Sequence, residues 1–504
     1  MISFSRRCVC VALALGLACC VAGVTHAQEI SLDRKRLGDV QPRSSTEIEA
    51  SPWGVQFNVL PPHVNVPARE VDVDSLSDRI DAMLKRAEAL GVKWARVSVN
   101  WSTIEDRDGN YHWEYLDRII EGLSKRGIQE YVCITGGHAR YAEGYDIAPT
   151  ENEEAMNAWL DMIEALGTRY GDRVQHWEIW NEPNTVWFWE PEPDASAYAR
   201  LLKASSKVLR RVDPGAVILG GSLARVDYPF AEKLFARGVA SHLDVLTFHP
   251  YHTFPEASLE GKGYQVRAPE YYRPSTYTIG ALRDLLESQP QDIELWQAEC
   301  GYPSEQHSHG WTGTGPWGER IQAKWLLRRH LVDVSAGINV SGYFSLKEYK
   351  LDEGWQKNAK GLLRYDTWSP KPSYHVFQRL TGLVRGQVSP DTVEASFSMA
   401  KEGSFYGARA SDVHVAAWSS GAPDTQMVAY WLPWRMQEFV QTARVELRLQ
   451  DAAFEDPVLV DLLNGSVYAL ESKQTFSNLP LADYPMVIAE RDVVTLRPEE
   501  GSGE

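Results

Sequence analysis

The stretch VQHWEIWNEPN (Val174–Asn184) decides the predicted architecture. Its first seven residues form an apolar run of strand length, and Pro183 ends that run because proline has no N–H to donate to a sheet. Glu178 and Glu182 share the parity of the run, so both side chains are expected on one side of the sheet, with Glu182 at the end of the strand. The stretch therefore predicts a buried strand that carries a carboxylate at its C-terminal end.

Similar apolar runs recur through residues 51–386 and alternate with amphipathic stretches. Trp113–Lys125 is typical of the latter, because its aliphatic residues recur at helical spacing. The candidate strands are Gly54–Val59, Trp94–Val99, Glu130–Thr135, Val174–Trp180, Ala216–Leu219, Val245–Phe248, Ile293–Gln297 and Gly342–Leu346. Eight β-α units over this length predict an α/β fold, the (β/α)8 TIM barrel, with long loops.

The pattern changes after residue 386. Short strand-like segments such as Met427–Leu432 are separated by Gly, Pro and Asn turns. Residues 387–504 are therefore predicted to form a C-terminal accessory domain, an antiparallel β-sandwich. The polar stretch 28–50 is expected to be a linker or an edge strand of that sandwich.

The first 27 residues have the pattern of a secretory signal peptide. Two arginines precede the apolar run Val9–Val24, and Thr25-His26-Ala27 is typical of a cleavage site. The run is short and a polar segment follows it, which favours a cleaved signal over a retained membrane helix. We expect a secreted or periplasmic protein with no membrane insertion in its mature form.

Composition excludes several classes of partner. The formal net charge of −17 disfavours binding to nucleic acid and to anionic membranes. Four of the six cysteines lie in the predicted signal, and the remaining Cys133 and Cys300 predict neither a disulfide framework nor a cysteine metal site. The 18 Trp and 22 Tyr are numerous, and aromatic faces commonly hold the apolar faces of sugars.

A second carboxylate occupies a position matching that of Glu182. Glu299 closely follows the predicted seventh strand, Ile293–Gln297. Strands of such a barrel end at one face, so Glu182 and Glu299 are expected to converge there, and paired carboxylates are what glycosidic bond cleavage needs. Taken alone, Glu182 is equally typical of a loop carboxylate or a helix cap. Glu178 is expected to be a buried, paired carboxylate that supports the site.

The segment Trp177–Asn184 resembles the acid/base motif of the retaining glycoside hydrolases of clan A. Within that clan it is most similar to glycoside hydrolase family 39 and to related bacterial exopolysaccharide glycosidases, and the resemblance covers most of residues 51–385. It implies that Glu182 is the general acid/base and Glu299 the nucleophile. It also implies that Asn181 hydrogen-bonds the sugar 2-hydroxyl.

Further positions match the clan pattern. Arg96 and Trp101 resemble its second-strand Arg and the Trp five residues later, and His249 and Tyr251 end strand six, where the clan places residues that touch the nucleophile. Arg96 would either keep Glu299 ionised or pair with a core carboxylate, and the residues leave both alternatives open. His249 would either belong to the site or be packed in the core.

Four loop residues complete the candidate substrate contacts and their alternatives. His138 follows strand three and would either line the cleft or lie in a surface loop. Of Trp187 and Trp189, in the loop after Glu182, we expect Trp189 to stack on a sugar, although such a loop can instead fold onto its own core. Lys347 stands near the place where many clan members have a Trp, and offers a cation to an acidic or heavily hydroxylated sugar.

Together these features predict a retaining glycosidase that acts on a poly- or oligosaccharide by double displacement, with carboxyl groups roughly 5–5.5 Å apart. No cofactor or metal is expected, because the sequence contains no His-x-x-x-His and no carboxylate cluster at ligand spacing. A transglycosylase of the same mechanism and a non-catalytic carbohydrate-binding barrel are the main alternatives. A metal-dependent hydrolase on this fold is a more distant one.

Overall fold

The structure is a computed structural model. It describes residues 32–62, 66–141, 144–251, 255–256, 278–308, 315–350, 356–399, 409–421, 425–440, 442–450 and 454–498. The predicted signal peptide, residues 1–27, lies outside the described residues. In the part that is described, no helix has the length and apolar character needed to cross a bilayer.

Residues 53–343 contain the eight strands of a closed parallel barrel, as predicted. The first strand of the described residues is β1 (Arg36–Asp39), which belongs to the second domain and precedes the barrel. The barrel strands are β2 (Trp53–Gln56), β3 (Trp94–Asn100), β4 (Gln129–Thr135), β5 (His176–Ile179), β6 (Val217–Ala224), β7 (Val245–His249), β8 (Glu294–Cys300) and β9 (Ser341–Tyr343). Each is parallel to its neighbours, and β9 pairs with β2 to close the ring. All eight C-terminal ends therefore open on one face.

Helices surround the barrel. They are α1 (Val73–Leu90), α2 (Trp101–Ile104), α3 (Glu114–Ser124), α4 (Glu153–Tyr170), α5 (Ala195–Val212), α6 (Tyr228–Phe235), α7 (Ile279–Glu287), α8 (Glu319–Ser335) and α9 (Pro372–Gly382). Local sequence sets their ends. The Asp72 carboxylate caps α1 by accepting from the N–H of Ser75, and Gly91 ends it in the left-handed conformation, φ 77°.

The barrel interior is filled with side chains below the open face. Six buried residues form a separate cluster: Tyr131, Leu219, Val245, Trp296, Ala298 and Val340. The Tyr131 hydroxyl of β4 donates to the carbonyl of Ala298 on β8 (2.9 Å), which is not a neighbouring strand. The interior is thus a packed floor rather than a channel, and it supports the residues above it.

The second domain is a β-sandwich of two antiparallel sheets, as predicted. Its remaining strands are β10 (Val388–Asp391), β11 (Ala395–Met399), β12 (His414–Ser420), β13 (Thr425–Trp431), β14 (Thr442–Leu449), β15 (Pro457–Asp461), β16 (Ser466–Ala469), β17 (Thr475–Ala482) and β18 (Met486–Glu490). One sheet has the order β1-β16-β15-β18-β13-β12-β10 and the other β11-β14-β17. β1 comes from the polar stretch 28–50 and lies at a sheet edge.

Helix α8 lies between the two domains. It packs on β9 of the barrel and on β10 and β12 of the sandwich. As a result its residues from Ile321 to Val334 are all buried, including three cations, Lys324, Arg328 and Arg329. Buried cations are costly unless they are paired, and each of these three has a carboxylate partner.

Candidate active site

The carboxylates of Glu182 and Glu299 meet at the open face of the barrel. Glu182 follows β5, and Glu299 is the penultimate residue of β8. A carboxylate oxygen of each, together with a ring nitrogen of His249, lie within 4.8 Å of one another. The two strand ends therefore hold their carboxylates close enough to act on the same sugar ring.

The backbone that places Glu182 differs from the regular strand expected from sequence. β5 ends at Ile179, and both Trp180 (φ 68°) and Glu182 (φ 42°) adopt left-handed conformations. The Glu182 N–H donates to the carbonyl of Ser222 on β6 (3.0 Å). Left-handed conformations cost roughly 1–2 kcal/mol for residues other than glycine, and such strain tends to occur at functional sites. Strand parity therefore does not explain the position of Glu182; the turn and its bond to β6 do.

The side chain of Glu182 has a histidine as its partner. Its Oε1 lies 2.8 Å from Nδ1 of His249, which is fully buried. The other ring nitrogen, Nε2, lies 3.3 Å from the hydroxyl of Ser222, and that hydroxyl accepts from Arg96 Nη2 (3.3 Å). A hydroxyl that accepts from Arg96 can donate its own hydrogen to Nε2. In that arrangement Nδ1 of His249 carries the hydrogen that is donated to Glu182.

The side chain of Glu299 has a cation and a phenol as its partners. Its Oε2 accepts from Nη1 of Arg96 (2.8 Å), and its Oε1 accepts from the hydroxyl of Tyr251 (2.5 Å). Burial and the charge of Glu299 raise the pKa of Tyr251 well above its ordinary value, so the phenol remains a donor. A buried carboxylate that accepts from a guanidinium and a phenol is stabilised as the anion.

Arg96 combines the two roles that the sequence left open. Its fully buried guanidinium donates from Nε to Glu178 Oε2 (2.7 Å) and from Nη1 to Glu299. Burial alone would lower the pKa of Arg96, but the carboxylates of Glu178 and Glu299 help to raise it well above the ordinary value. Glu178 also accepts from the hydroxyl of Thr247 (2.7 Å) and is the buried, paired carboxylate that was expected.

Asn181 belongs to the same group of residues. Its buried side-chain oxygen accepts from Arg96 Nη2 (2.9 Å). With the oxygen turned to the guanidinium, the amide nitrogen points elsewhere as a donor. That orientation is compatible with a hydrogen bond to a sugar hydroxyl.

Trp101 and His138 are packed beside the site rather than exposed in it. Both are buried and their rings lie 5.1 Å apart. The Trp101 Nε1 donates to Glu105 Oε2 (2.6 Å), and His138 Nε2 lies 2.9 Å from the Glu105 carbonyl. The expectation that they contact substrate is corrected, because their polar atoms are engaged within the protein and their rings have almost no exposed surface.

The loop tryptophan with an exposed ring is Trp187 rather than Trp189. Trp189 is only 3% exposed and packs edge-on against Trp180 and Tyr198. Trp187 is 75% exposed. The expectation that Trp189 stacks on a sugar is corrected, because the loop buries Trp189 in its own core, which was the stated alternative for this loop.

Lys347 is not a free cation at the mouth. Its half-buried ammonium lies 4.5 Å from the ring centroid of Trp368 and 4.7 Å from that of Tyr365, and it donates to the carbonyl of Glu348. Burial lowers the pKa of Lys347 to about 8. The cation is engaged by aromatic rings and backbone of its own segment, which corrects its assignment to substrate.

Besides Arg96, a second buried cation lies near the site, Lys360, which the sequence analysis missed. It is 2% exposed, and its ammonium lies 5.6 Å from the ring centroid of Tyr251. Burial lowers the pKa of Lys360 to about 8, opposed by the charges of Glu299, Cys300 and Glu182. Lys360 follows β9 in an irregular stretch, so neither periodicity nor a motif marks it. The neighbouring Gly361 is a weak signal, because a Cβ there would lie 2.0 Å from a backbone nitrogen.

The pair with His249 has donor atoms of the kind that bind transition metals. Two carboxylates and an imidazole with ligand atoms within 4.8 Å of one another are found in such centres. Here, however, His249 Nδ1 is directed at Glu182, and both Glu299 oxygens accept hydrogen bonds. The guanidinium of Arg96 beside Glu299 also opposes a second positive charge. This donor set is therefore better suited to proton transfer than to a metal ion.

A parallel barrel with two such carboxylates at its C-terminal face defines the class of clan A glycoside hydrolases. More particularly, the model of glycosyl hydrolases family 39 matches residues 82–419, and the chain belongs to that family. The resemblance predicted from Trp177–Asn184 is thereby confirmed.

Individual relatives are distant in sequence. A β-xylosidase of Geobacillus stearothermophilus is 28% identical over 132 residues, which is 22% of this chain and 25% of the relative, so the match spans about a quarter of that protein. Among solved structures, a family 39 glycoside hydrolase from the gut symbiont Bacteroides cellulosilyticus WH2 has a TM-score of 0.60 at 20% identity, covering 87% of this chain and 81% of its own. A monomeric β-xylosidase from Caulobacter crescentus CB15 has a TM-score of 0.54 at 16% identity, covering 90% and 97%. These structures share the fold of both domains.

Proposed function

We propose that this protein is a retaining glycosidase that hydrolyses an oligo- or polysaccharide by double displacement. Glu182 is the general acid/base and Glu299 the nucleophile. The observation that carries the proposal is the meeting of the two carboxylates within 4.8 Å in opposite surroundings, one beside His249 and the other beside a cation. Retaining enzymes hold their carboxyl groups roughly 5–5.5 Å apart, whereas inverting enzymes need roughly 6.5–9.5 Å to admit a water molecule.

In the first step Glu299 attacks the anomeric carbon and the bond from that carbon to the glycosidic oxygen breaks. Arg96 and Tyr251 hold the carboxylate in place and keep it ionised until it becomes the ester oxygen. Because His249 donates to Oε1 of Glu182, the other oxygen, Oε2, carries the proton. Glu182 transfers that proton to the departing oxygen, so the leaving sugar departs as a neutral alcohol.

In the second step the glycosyl ester is hydrolysed. Glu182, now a carboxylate, removes a proton from water, and the water oxygen attacks the anomeric carbon as the bond to Glu299 breaks. Two inversions give net retention, and both carboxyl groups return to their starting protonation states. His249 can stabilise the charge that Glu182 acquires between the steps, since it donates to that carboxylate.

We propose a neutral, β-linked sugar as the bound residue. Lys347, the cation that had suggested an acidic sugar, is engaged by aromatic rings of the protein, and the buried Arg96 donates to five side-chain oxygens. Relatives described as β-xylosidase and β-glucosidase are consistent with this choice. The exposed Trp187, five residues after Glu182, offers a stacking surface to a further sugar of the chain.

We further propose that the chain is exported, on the basis of the pattern in residues 1–27. Fractionation of cells that express the full chain should give a protein outside the cytoplasm whose N-terminus is near Gln28. An uncleaved cytoplasmic product would contradict this.

The central test is the anomeric form of the first product. The chain without residues 1–27 is incubated with a panel of aryl β-glycosides and β-linked polysaccharides, and early products are followed by proton NMR. A β-anomer that later mutarotates supports the proposal, whereas an initial α-anomer or equal cleavage by Glu182→Gln overturns it. Products longer than the substrate would identify the transglycosylase alternative, which shares the chemistry but passes the glycosyl group to a sugar.

A further inference from the structure

The connection between β13 and β14, residues 432–440, contacts the barrel. We refer to it as the β13–β14 segment. The ammonium of Lys324, on α8, donates to the carbonyls of Gln437 (2.7 Å) and Phe439 (3.1 Å) of this segment. The same ammonium forms a fully buried ion pair with Asp483 (2.7 Å), and Asp483 accepts from the N–H of Gln437. The segment is therefore fixed to the helix by a buried charge.

A second buried cation fixes the start of the segment. Arg328 of α8 donates to the carbonyl of Trp434 (3.0 Å) and binds both oxygens of Glu256, which follows β7. Glu256 in turn accepts from the indole of Trp431 (2.7 Å) at the end of β13. Although burial opposes it, Arg328 lowers the pKa of Glu256 to about 2, so the pair is charged at neutral pH. Both partners of this ion pair belong to the barrel domain, and Trp431 and Trp434 of the sandwich are hydrogen-bonded to it.

Between its contacts with Arg328 and Lys324, the β13–β14 segment packs one apolar side chain against residues of the barrel domain. Met436 is fully buried in a cluster with Cys300, Tyr302, Ile321 and Trp325. Tyr302 and Trp325 are stacked in this cluster, with ring centroids 5.0 Å apart. Tyr251, the residue that donates to Glu299, packs against the same cluster, and Cys300 is adjacent to Glu299 in the chain.

We propose that Met436 is a positioning residue for Tyr251, so that the β-sandwich domain completes the active site. This rests on the proposed function of Glu299 as the nucleophile. Tyr251 packs against this apolar cluster, and among the described residues Met436 is the one cluster member that the sandwich supplies. Hydrogen bonds weaken steeply with changes in distance and angle, so a small movement of the phenol reduces its hold on Glu299. Met436 touches no reacting atom and acts only through Tyr251.

The test is a double-mutant cycle between Met436→Ala and Tyr251→Phe on the chain without residues 1–27. Met436→Ala should lower kcat about tenfold with little change in KM, since the cluster behind the phenol loses a side chain. Tyr251→Phe should lower kcat at least as much. Because both act through one hydrogen bond, adding Met436→Ala to Tyr251→Phe should reduce kcat by less than twofold.

Matched variants separate positioning from general damage. Met436→Leu, which preserves volume, should restore most of kcat. Phe439→Ala, in the same segment but with a side chain 51% exposed, should leave kcat unchanged. If Met436→Ala does not fold, Met436→Val replaces it in the cycle.

Wild-type kcat in Met436→Ala (or in Met436→Val where it replaces the alanine variant), or a full tenfold loss added in the Tyr251→Phe background, would overturn the inference while leaving the glycosidase assignment intact. An inactive wild-type chain would instead overturn the proposed function.

Discussion

The ends of β5 and β8 carry the same residue type in opposite surroundings. Glu182, with 14% of its side chain exposed, faces His249, whereas Glu299, with 7%, faces the guanidinium of Arg96 and the hydroxyl of Tyr251. A glutamate beside an imidazole can hold and release a proton, and one beside a guanidinium stays ionised. The residue type is the same at both strand ends. The partners that neighbouring strands supply therefore determine which carboxylate exchanges a proton and which stays ionised.

The two strand ends also differ in backbone conformation, yet hydrogen bonds of Arg96 connect them. Glu299 lies within strand β8, where the pairing with β9 shifts register between Gln297 and Cys300, whereas Glu182 lies beyond the end of β5 in a left-handed turn. Arg96 reaches both sides, since it donates to Glu299 and to the Ser222 hydroxyl that lies next to His249. Changes at one carboxylate should therefore affect the other in a measurable way.

The largest loss of activity should come from replacing Glu299, the carboxylate that stays ionised. Glu299→Gln preserves shape but removes the nucleophile, so kcat should fall by a factor on the order of 10⁴ or more on every substrate. Steady-state rates on an aryl β-glycoside measure this. In Glu299→Ala, added azide should attack the anomeric carbon directly and give an α-glycosyl azide. Residual hydrolysis above 1% of wild type in Glu299→Gln, with β-product, would assign the nucleophile to another group.

The second-largest loss of activity should come from replacing Glu182, and its size should depend on the leaving group of the substrate. Glu182→Gln removes the proton donor, so cleavage of a sugar–sugar bond should fall by about 10²–10⁴. An aryl glycoside with an acidic phenol needs no proton for departure, so formation of its glycosyl ester should slow much less. Pre-steady-state release of the phenol measures that step. Equal losses of rate on both kinds of substrate would show that Glu182 is not the proton donor to the leaving group.

Sequence reasoning predicted the parts of this comparison that depend on regular structure. Eight apolar runs gave the barrel, and the positions of Glu182 and Glu299 at strand ends placed both at one face. Strand ends were less predictable. β5 is shorter than expected, because Trp180 leaves the strand in a left-handed conformation that no local residue pattern encodes.

Side chains outside regular elements could not be placed from sequence. Trp187 and Trp189 are two residues apart, and only tertiary packing decides that Trp189 is buried. Met436 comes from the other domain, and it shares with Tyr251 only a cluster built from residues far apart in the chain. Lys360 is brought to the carboxylates by an irregular stretch. Each of these side-chain positions results from contacts between residues far apart in the chain, and the periodicity of the sequence does not predict such contacts.

Replacing Lys360 should have the smallest effect of these changes. It tests most specifically how the surroundings of Glu299 and Glu182 set their ionisation. The Lys360 ammonium, near the Tyr251 and Phe344 rings, interacts more strongly with Glu299 than with Glu182. Below its pKa of about 8 it is charged and favours the ionised form of both carboxylates. Lys360→Met removes that charge, so the acid limb of the kcat/KM profile, which reports ionisation of the nucleophile, should move to higher pH by roughly 0.5.

The alkaline limb of the same profile should move less, for two reasons. Glu182 feels the Lys360 charge more weakly than Glu299 does, and above pH 8 the wild-type lysine has itself lost most of its charge. Lys360→Arg retains the cation and should keep the acid limb in place, which separates charge from packing. The pH profile from 4 to 10 measures both limbs. An acid limb that moves to lower pH in Lys360→Met, or equally in both variants, would show that the environment of Glu299 is set by Arg96 and Tyr251 without this lysine.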